Sequence, residues 1–464
     1  MPNRADLMPF KAILAVTIIL VAICFTACSR DPGKRLEIKA KYGSQPSKDE
    51  LMLAGSINSL AFKLYHDMTH PEHPMLYSPY GLAVALSMAY GGADGETRSE
   101  LAETLSFQLG NEQHHTAFAM LQKRLADSGF VVAPPAPDKP PEEPGIAVPE
   151  RFPSRSINMD HETRGLFTVN ALLVARDVEP HLQKAYLTLL KRKYAVRHYA
   201  FGSDREGVEM ANAWAAAQSH GKIGQLLSPQ DIPPDGLGAV LLNAVNFSGK
   251  WKLPFATQNT TEMPFYKDVS RSFAADGPYR SVEMMHGQAR FQYAESEGLQ
   301  MLEMPYLEGA YSMVVLLPDS LASLERNFTL ARFQSMYAAL QDHLVDVYIP
   351  AFGFPGDNSG LKQALAKLGI RSAFSAADAD FTAMAELPPG ENLYMDKLIQ
   401  KTYIEVFEEG TIAKAVIALS FSSGGAGMGP EEKDAVKLFL ADHPFIFAIV
   451  HQPTGCIIFM GNYK

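Results

Sequence analysis

Glu405-Val-Phe-Glu-Glu-Gly-Thr411-Ile-Ala-Lys-Ala-Val-Ile-Ala-Leu-Ser-Phe421 runs directly into Ser422-Ser-Gly-Gly-Ala-Gly-Met-Gly-Pro-Glu-Glu-Lys433. In the first stretch Thr411, Ala413, Ala415, Ile417, Leu419 and Phe421 alternate with Ile412, Lys414, Val416, Ala418 and Ser420. One set is apolar apart from Thr411 and the other is mixed, the pattern of a strand with one buried face. The Gly/Ser run that follows has the composition of protease-accessible chain. A segment able to be either strand or exposed loop implies a switch between the two.

Working outward, Leu76-Tyr-Ser78-Pro79-Tyr-Gly81 opens a helix, with Ser78 as its cap and Pro79 at its first position. That helix is apolar nearly all round to Gly92, so it belongs at the centre of the fold. Before it, the spacing of Leu53, Ile57, Leu60, Ala61 and Leu64 predicts a helix from Leu51 that stops near Pro71. Thr168–Ala175 reads as a buried strand, 180–195 as a helix and Arg197–Phe201 as a short strand. Residues 131–153 hold eight prolines and few large apolar side chains, which marks 131–158 as a surface insertion.

Glu408-Glu409-Gly410-Thr411 followed by the small Ala413 and Ala415 resembles the hinge that precedes the reactive-centre loop of serpins. The likeness extends through Ser78–Gly92, Leu241–Phe255 with Asn243 and Trp251, Leu302–Tyr306, Ser312–Pro318, Ile349–Phe352, His443–Phe447 and Phe459–Gly461. It spans 51–464 in order. It implies an α+β serpin fold: a large five-stranded mixed β-sheet, further sheets, surrounding helices and an exposed reactive-centre loop within 408–440. It also implies an inhibitor of serine-type endopeptidases that works by a suicide mechanism, in which the cut loop inserts into the large sheet. Counting the family's spacing from Glu408 puts the reactive bond between Gly424 and Gly425. Small residues there suit elastase-like proteases, and Phe421 or Met428 would suit chymotrypsin-like ones. Alternatives within the resemblance are a non-inhibitory ligand- or protein-binding serpin and an inhibitor of papain-like cysteine proteases.

The residues fit the demand. Thr411, Ala413 and Ala415 are small on the inward parity, while Lys414 and Ile412 depart from the family's usual residues on the outward parity, where solvent can hold a charge. Ser78, Asn243 and Gln400 fall in the region where the sheet opens. Gln400 stands where many members have His. It lacks the pH switch of imidazole but can hydrogen-bond, with Asn243 as the expected partner.

Composition narrows the rest. The chain has 464 residues, 47% of them hydrophobic, which is enough for a sizeable core. Its net charge of −10 argues against a nucleic-acid partner. Residues 1–27 read as a leader, with Arg4 and Lys11 ahead of an apolar run from Ala12 to Ala27. Phe25-Thr-Ala-Cys28 resembles a bacterial lipobox, so lipidation is expected at Cys28 after cleavage, with 28–50 as a tether. The expected location is the cell envelope, on the outer membrane through this anchor, or else the periplasm or exterior. Of the three cysteines, Cys24 leaves with the leader, Cys28 carries lipid and Cys456 sits in an apolar strand, so no disulfide framework is expected. The expected protein is a monomer, not an enzyme, with no cofactor and no metal.

Rival chemistry is weak. Ser219-His-Gly-Lys222 has the S-x-x-K spacing of acyl-enzyme nucleophiles without their companion motifs. His66, His70 and His73 are interrupted by Pro71, and His114-His115 has no acidic or cysteine companion. Both sets read as solvated helix ends. Gly424–Gly429 is followed by Pro430 and two glutamates, unlike a phosphate loop.

Overall fold

The structure is a computed structural model describing residues 45–70, 72–128, 165–219, 223, 225–233, 236–267, 279–307, 309–358, 360–411 and 435–464. The leader and Cys28, the proline-rich insertion, Lys222, Ala413, Ala415, Gly424 and Gly425 lie outside the described residues.

The helices are α1 (Lys48–Met68), α2 (Pro79–Gly92), α3 (Gly95–Thr104), α4 (Asn111–Asp127), α5 (Lys184–Tyr194), α6 (Asp204–Gln218), α7 (Leu321–Arg326), α8 (Leu330–Ala339) and α9 (Leu361–Leu368). The strands are β1 (Met75–Tyr77), β2 (Gly165–Ala175), β3 (Arg197–Phe201), β4 (Ala239–Lys250), β5 (Thr261–Tyr266), β6 (Tyr279–Ser296), β7 (Leu299–Pro305) and β8 (Tyr311–Pro318). They continue as β9 (Gln341–Pro350), β10 (Phe352–Asp357), β11 (Lys401–Phe407), β12 (Gly410–Thr411), β13 (Lys437–Leu440), β14 (Phe445–His451) and β15 (Cys456–Tyr463).

α1 begins three residues before Leu51, inside the stretch expected to be tether. Ser47 Oγ accepts from the Glu50 amide (3.2 Å) and Glu50 Oε2 accepts from the Ser47 amide (2.7 Å), a reciprocal cap that starts the helix on polar residues. Glu50 is buried and held by Arg124 of α4, Nε to Oε1 at 2.6 Å.

Nine strands form one sheet in the order β1-β15-β14-β8-β7-β6-β9-β13, with β5 on β6. The other sheet has the order β10-β11-β12-β4-β2-β3. The family resemblance implies a five-stranded sheet, and among the described residues β10, β11, β4, β2 and β3 supply five strands. The sixth, β12, is Gly410–Thr411 of the hinge, so the hinge is itself a two-residue strand between β11 and β4.

α2 packs between the sheets, against β4 and β15. α6 covers the opposite face of the six-stranded sheet, where Val208, Met210 and Trp214 meet Leu173 and Leu242. Neighbouring strand residues point to opposite faces. Leu242 therefore faces α6, and Asn243 faces α2, where its Oδ1 closes to 2.9 Å from the space a side chain on Gly81 would fill.

The histidine pair on α4 corrects the sequence reading. His114 and His115 are each 1% exposed. Their α-helical spacing to Phe118 and Leu121 puts them on the buried face. His115 Nε2 donates to Asn111 Oδ1 (3.0 Å) and its Nδ1 accepts from the Tyr194 hydroxyl (2.6 Å), while His114 Nε2 lies 3.1 Å from Ser87 Oγ. Cys456 is fully buried, as a packed small hydrophobe should be.

Candidate functional site

The six-stranded sheet is split. β4 pairs with β2 along Ala239–Ser248, but on its other edge it pairs only at Gly249 and Lys250, with β12. β11 pairs with β10 from Lys401 to Val406, and on its inner edge the ladder among the described residues is that of Val406 and Phe407 with β12. Below β12 the two facing edges are joined by no ladder among the described residues. A cavity of about 1450 Å3 lies there, lined by Leu82 and Ala85 of α2, Asn243, Val245 and Phe247 of β4, Thr402 and Ile404 of β11, and Thr411. Two strands of one sheet held apart in this way leave the width of a further strand between them.

The hinge is seated at the head of this slot. Thr411 is 1% exposed and paired with Gly249 and Val406. Its Oγ1 lies 2.8 Å from the Tyr306 hydroxyl. Tyr306 stacks on Trp251 with ring centroids 4.6 Å apart, and Trp251 Nε1 donates to the Phe407 carbonyl at 2.9 Å. The Trp251 amide donates to the Glu409 carbonyl and the Phe255 amide to the Glu408 carbonyl. Thr260 Oγ1 donates to Glu408 Oε1 at 2.7 Å. Segment 251–260 thus grips the two glutamates by backbone and side chain.

Two glycines make the seat possible. A side chain on Gly410 would fall 2.1 Å from the Gly249 carbonyl oxygen, and one on Gly249 would fall 2.6 Å from the Tyr306 ring. Neither approach tolerates a Cβ.

Further down the slot, Ser78 Oγ donates to the Ile458 carbonyl (2.7 Å) and accepts from the Gly81 amide (3.0 Å), so it caps α2 and ties it to β15. Gln400 does not pair with Asn243. Its Oε1 accepts from the Ser78 amide and its Nε2 donates to the Ser78 carbonyl, both at 2.9 Å. Asn243 instead donates to Asn170 Oδ1 at 2.7 Å. The physical reason is chemical fit: an amide presents one donor and one acceptor side by side, and so meets both backbone groups of one residue. The structure therefore brings Ser78 and Gln400 together and leaves Asn243 on the facing strand across the slot. Sequence reasoning singled out the hinge and these three residues. The contacts of Trp251, Tyr306 and Thr260 with residues 407–411, and that of Asn170 with Asn243, emerge only here. Trp251, one of two tryptophans, was the available signal.

Ser219 and the histidines of the rival motifs have local partners. Ser219 ends α6 and its Oγ accepts from the Ile223 amide at 2.9 Å, which occupies the hydroxyl in a turn. His66 Nε2 lies 2.9 Å from the Phe328 carbonyl, and the rings of His70 and His73 stack on each other at 4.6 Å. Among the described residues no group of three or more His, Cys, Asp or Glu converges as a metal site. No helix among them is long and apolar enough to cross a membrane.

Comparison with known proteins agrees with this geometry. The family model for serpins (serine protease inhibitors) matches residues 55–464. An uncharacterised serpin-like protein of Thermococcus kodakarensis is 29% identical over 428 residues, covering 91% of this chain and 88% of that protein. Leukocyte elastase inhibitor A of Rattus norvegicus is 28% identical over 426 residues, covering 88% and 98%. The crystal structure of tengpin, a thermophilic serpin in its native state, matches with a TM-score of 0.70 at 23% identity over 90% of this chain and 95% of that one. With α+β layers, a split sheet headed by Gly410 and Thr411 and a family match over residues 55–464, the chain belongs to the serpin family.

Proposed function

We propose that this protein inhibits serine-type endopeptidases by inserting its cleaved loop into the slot between β4 and β11. The observation that carries the reading is the slot itself: among the described residues no ladder joins β4 to β11 below Gly410 and Thr411, which pair with both strands. The likeness to an elastase inhibitor supports the choice of target class.

The register at the hinge extends to the rest of the loop. Gly410 pairs with Lys250 and Thr411 with Gly249, so each further residue pairs one position earlier on β4. Ala413 would then lie opposite Phe247, Ala415 opposite Val245, Ile417 opposite Asn243 and Leu419 opposite Leu241. On the other side Ala413 would lie opposite Ile404, Ala415 opposite Thr402 and Ile417 opposite Gln400. Paired residues share a face. The small residues therefore pass the seat at Tyr306 first, and the larger apolar ones follow into the cavity, each worth about 1.5–3 kcal/mol when fully buried. Lys414 and Ile412 stay on the α6 side of the sheet.

In the proposed reaction the target's serine oxygen attacks the Gly424 carbonyl, the bond to Gly425 breaks, and the new amine at Gly425 departs with the C-terminal segment. The protease is then bound to Gly424 as an ester. Insertion from Thr411 to Gly424 at about 3.4 Å per residue carries it about 44 Å. Distortion of the enzyme over that distance halts hydrolysis of the ester.

We further propose export and lipid attachment at Cys28, with the domain held at the cell envelope as a monomer.

The test uses the chain from residue 28 with Cys28→Ser, mixed with an elastase-like and a chymotrypsin-like protease. The expected result is an SDS-stable complex and a released peptide whose mass begins at Gly425. Clean cleavage with no complex and no gain in thermal stability would sink the inhibitory reading and leave a non-inhibitory binding serpin. A complex formed only with a papain-like protease would move the target class.

A further inference from the structure

One surface of the molecule runs against its overall charge. The chain carries a net charge of −10, yet residues 180–203 contain no Asp or Glu and include Lys184, Lys191, Arg192, Lys193 and Arg197. Lys184, Lys191, Arg192 and Arg197 are all exposed, and none forms an ion pair with a described residue. On α5 the buried stripe is Tyr186, Leu190 and Tyr194. At 3.6 residues per turn, Lys184, Lys191 and Arg192 share the outward stripe. Arg197 opens β3, the edge strand that follows at once.

The helix dipole explains part of this cluster. Cations in the last turn are stabilised by the C-terminal carbonyls, which accounts for Lys191, Arg192 and Lys193. It does not account for Lys184 at the first position, where the dipole disfavours a cation, nor for Arg197 beyond the helix. Acidic groups frame the patch without neutralising it. Glu179 lies 3.7 Å from His198, and Asp127 of α4 is paired with Lys123 at 2.6 Å. Glu112 on α4 is exposed.

The patch also lies near the point where the N-terminal chain enters the domain. Gln113 of α4 donates to Asp49 in the first turn of α1 (2.8 Å). On the α5 side of α4, Lys193 Nζ donates to Thr116 Oγ1 (2.7 Å) and Gln122 donates to the Lys193 carbonyl (3.1 Å). The start of α1 and the basic end of α5 therefore flank one helix. Two helix-packing distances put them within about 20 Å of each other.

We propose that the outer face of α5, with Arg197, docks on an anionic lipid bilayer through its phosphate headgroups and orients the domain there. The strongly acidic remainder of the chain is repelled by such a surface, so the patch selects one orientation. Docking is independent of loop trapping, and its test uses a chain without lipid.

The chain from residue 28 with Cys28→Ser is sedimented with vesicles of phosphatidylcholine alone and of phosphatidylcholine mixed with phosphatidylglycerol. Partitioning is expected only with the anionic vesicles and falls steeply with added salt. The variant Lys191→Gln, Arg192→Gln, Arg197→Gln is expected to lose about 100-fold, roughly fivefold per cation, with an unchanged melting curve. Equal binding to both vesicles, or an unchanged partition of the variant, overturns the proposal. So does binding to a soluble sulfated polysaccharide without binding to vesicles, which would assign the patch to a polyanion instead.

Discussion

Thr411→Arg is expected to turn the inhibitor into a substrate. Thr411 is 1% exposed, pinned between Gly249 and Val406 and hydrogen-bonded to Tyr306. An arginine there must either bury an unpaired guanidinium, at a cost of several kcal/mol, or withdraw from the sheet. Both outcomes slow the first step of insertion, while hydrolysis of the acyl-enzyme is untouched. Each 1.4 kcal/mol added to the insertion barrier shifts that competition tenfold, so the number of inhibitor molecules consumed per protease should rise by about 100-fold or more. The gain in thermal stability on cleavage should shrink with it. Thr411→Ser keeps the hydroxyl toward Tyr306 and should inhibit normally. A Thr411→Arg protein that still traps its target one to one would show that insertion does not begin at this seat.

A second large effect is expected on acidification. His114, His115 and His451 are buried and neutral. Burial pushes His114 down to about 3, with His115 beside it adding to the shift. Burial, then Lys193 and Arg98, push His115 to about 4. Burial and Arg124 push His451 to about 3, against a smaller opposing effect of Glu50. In the unfolded chain each titrates near 6.5. Between that value and the folded one only the unfolded chain takes up the proton. The stability is therefore fully present above about pH 6.5 and is lost as pH falls, by about 1.4 kcal/mol per pH unit for each histidine. The hydrogen bonds suit the neutral ring: Ser128 Oγ donates to the Arg124 carbonyl and so accepts from His451 Nε2, while Nδ1 accepts from Thr454 Oγ1. Glu303 acts in the opposite sense: its burial raises its pKa, so it loses its charge and its cost as the solution turns acid. Urea midpoints should be flat from pH 8 to 7 and fall steeply below 6. His114→Gln, which can still bond Ser87, should remove about a third of the slope. A flat profile through pH 5 would mean that these rings reach solvent protons in the folded state.

Much of this architecture was legible from local pattern. The cap at Ser78, the apolar helix behind it and the buried strand at Cys456 are all short-range features, and each is where its residues imply. The misses share a cause: they depend on partners distant in sequence. Trp251 and Tyr306 meet only because β4 and β7 come together at the top of the sheet. Gln400 was expected to bond Asn243, but Asn170 already holds that side chain and Ser78 offers a better match. The burial of His114 and His115 is not visible in the dipeptide itself. Spacing to Phe118 and Leu121 would have put them on the buried face. Glu50 looked like tether until Arg124 and Ser47 were seen to satisfy it.

The central claim is that the slot between β4 and β11 receives the cleaved loop, and amide hydrogen exchange of Ala239–Ser248 and Lys401–Glu405 tests it most directly. Among the described residues no ladder crosses from β4 to β11 below β12, so in the intact protein exchange on the slot side of β4 should be faster than on the side paired with β2. After cleavage in the loop the slot-facing amides should slow by about tenfold or more, in the order set by the register from Thr411 downward. Unchanged exchange in a fully cleaved protein would mean that the slot stays empty, and would contradict the account.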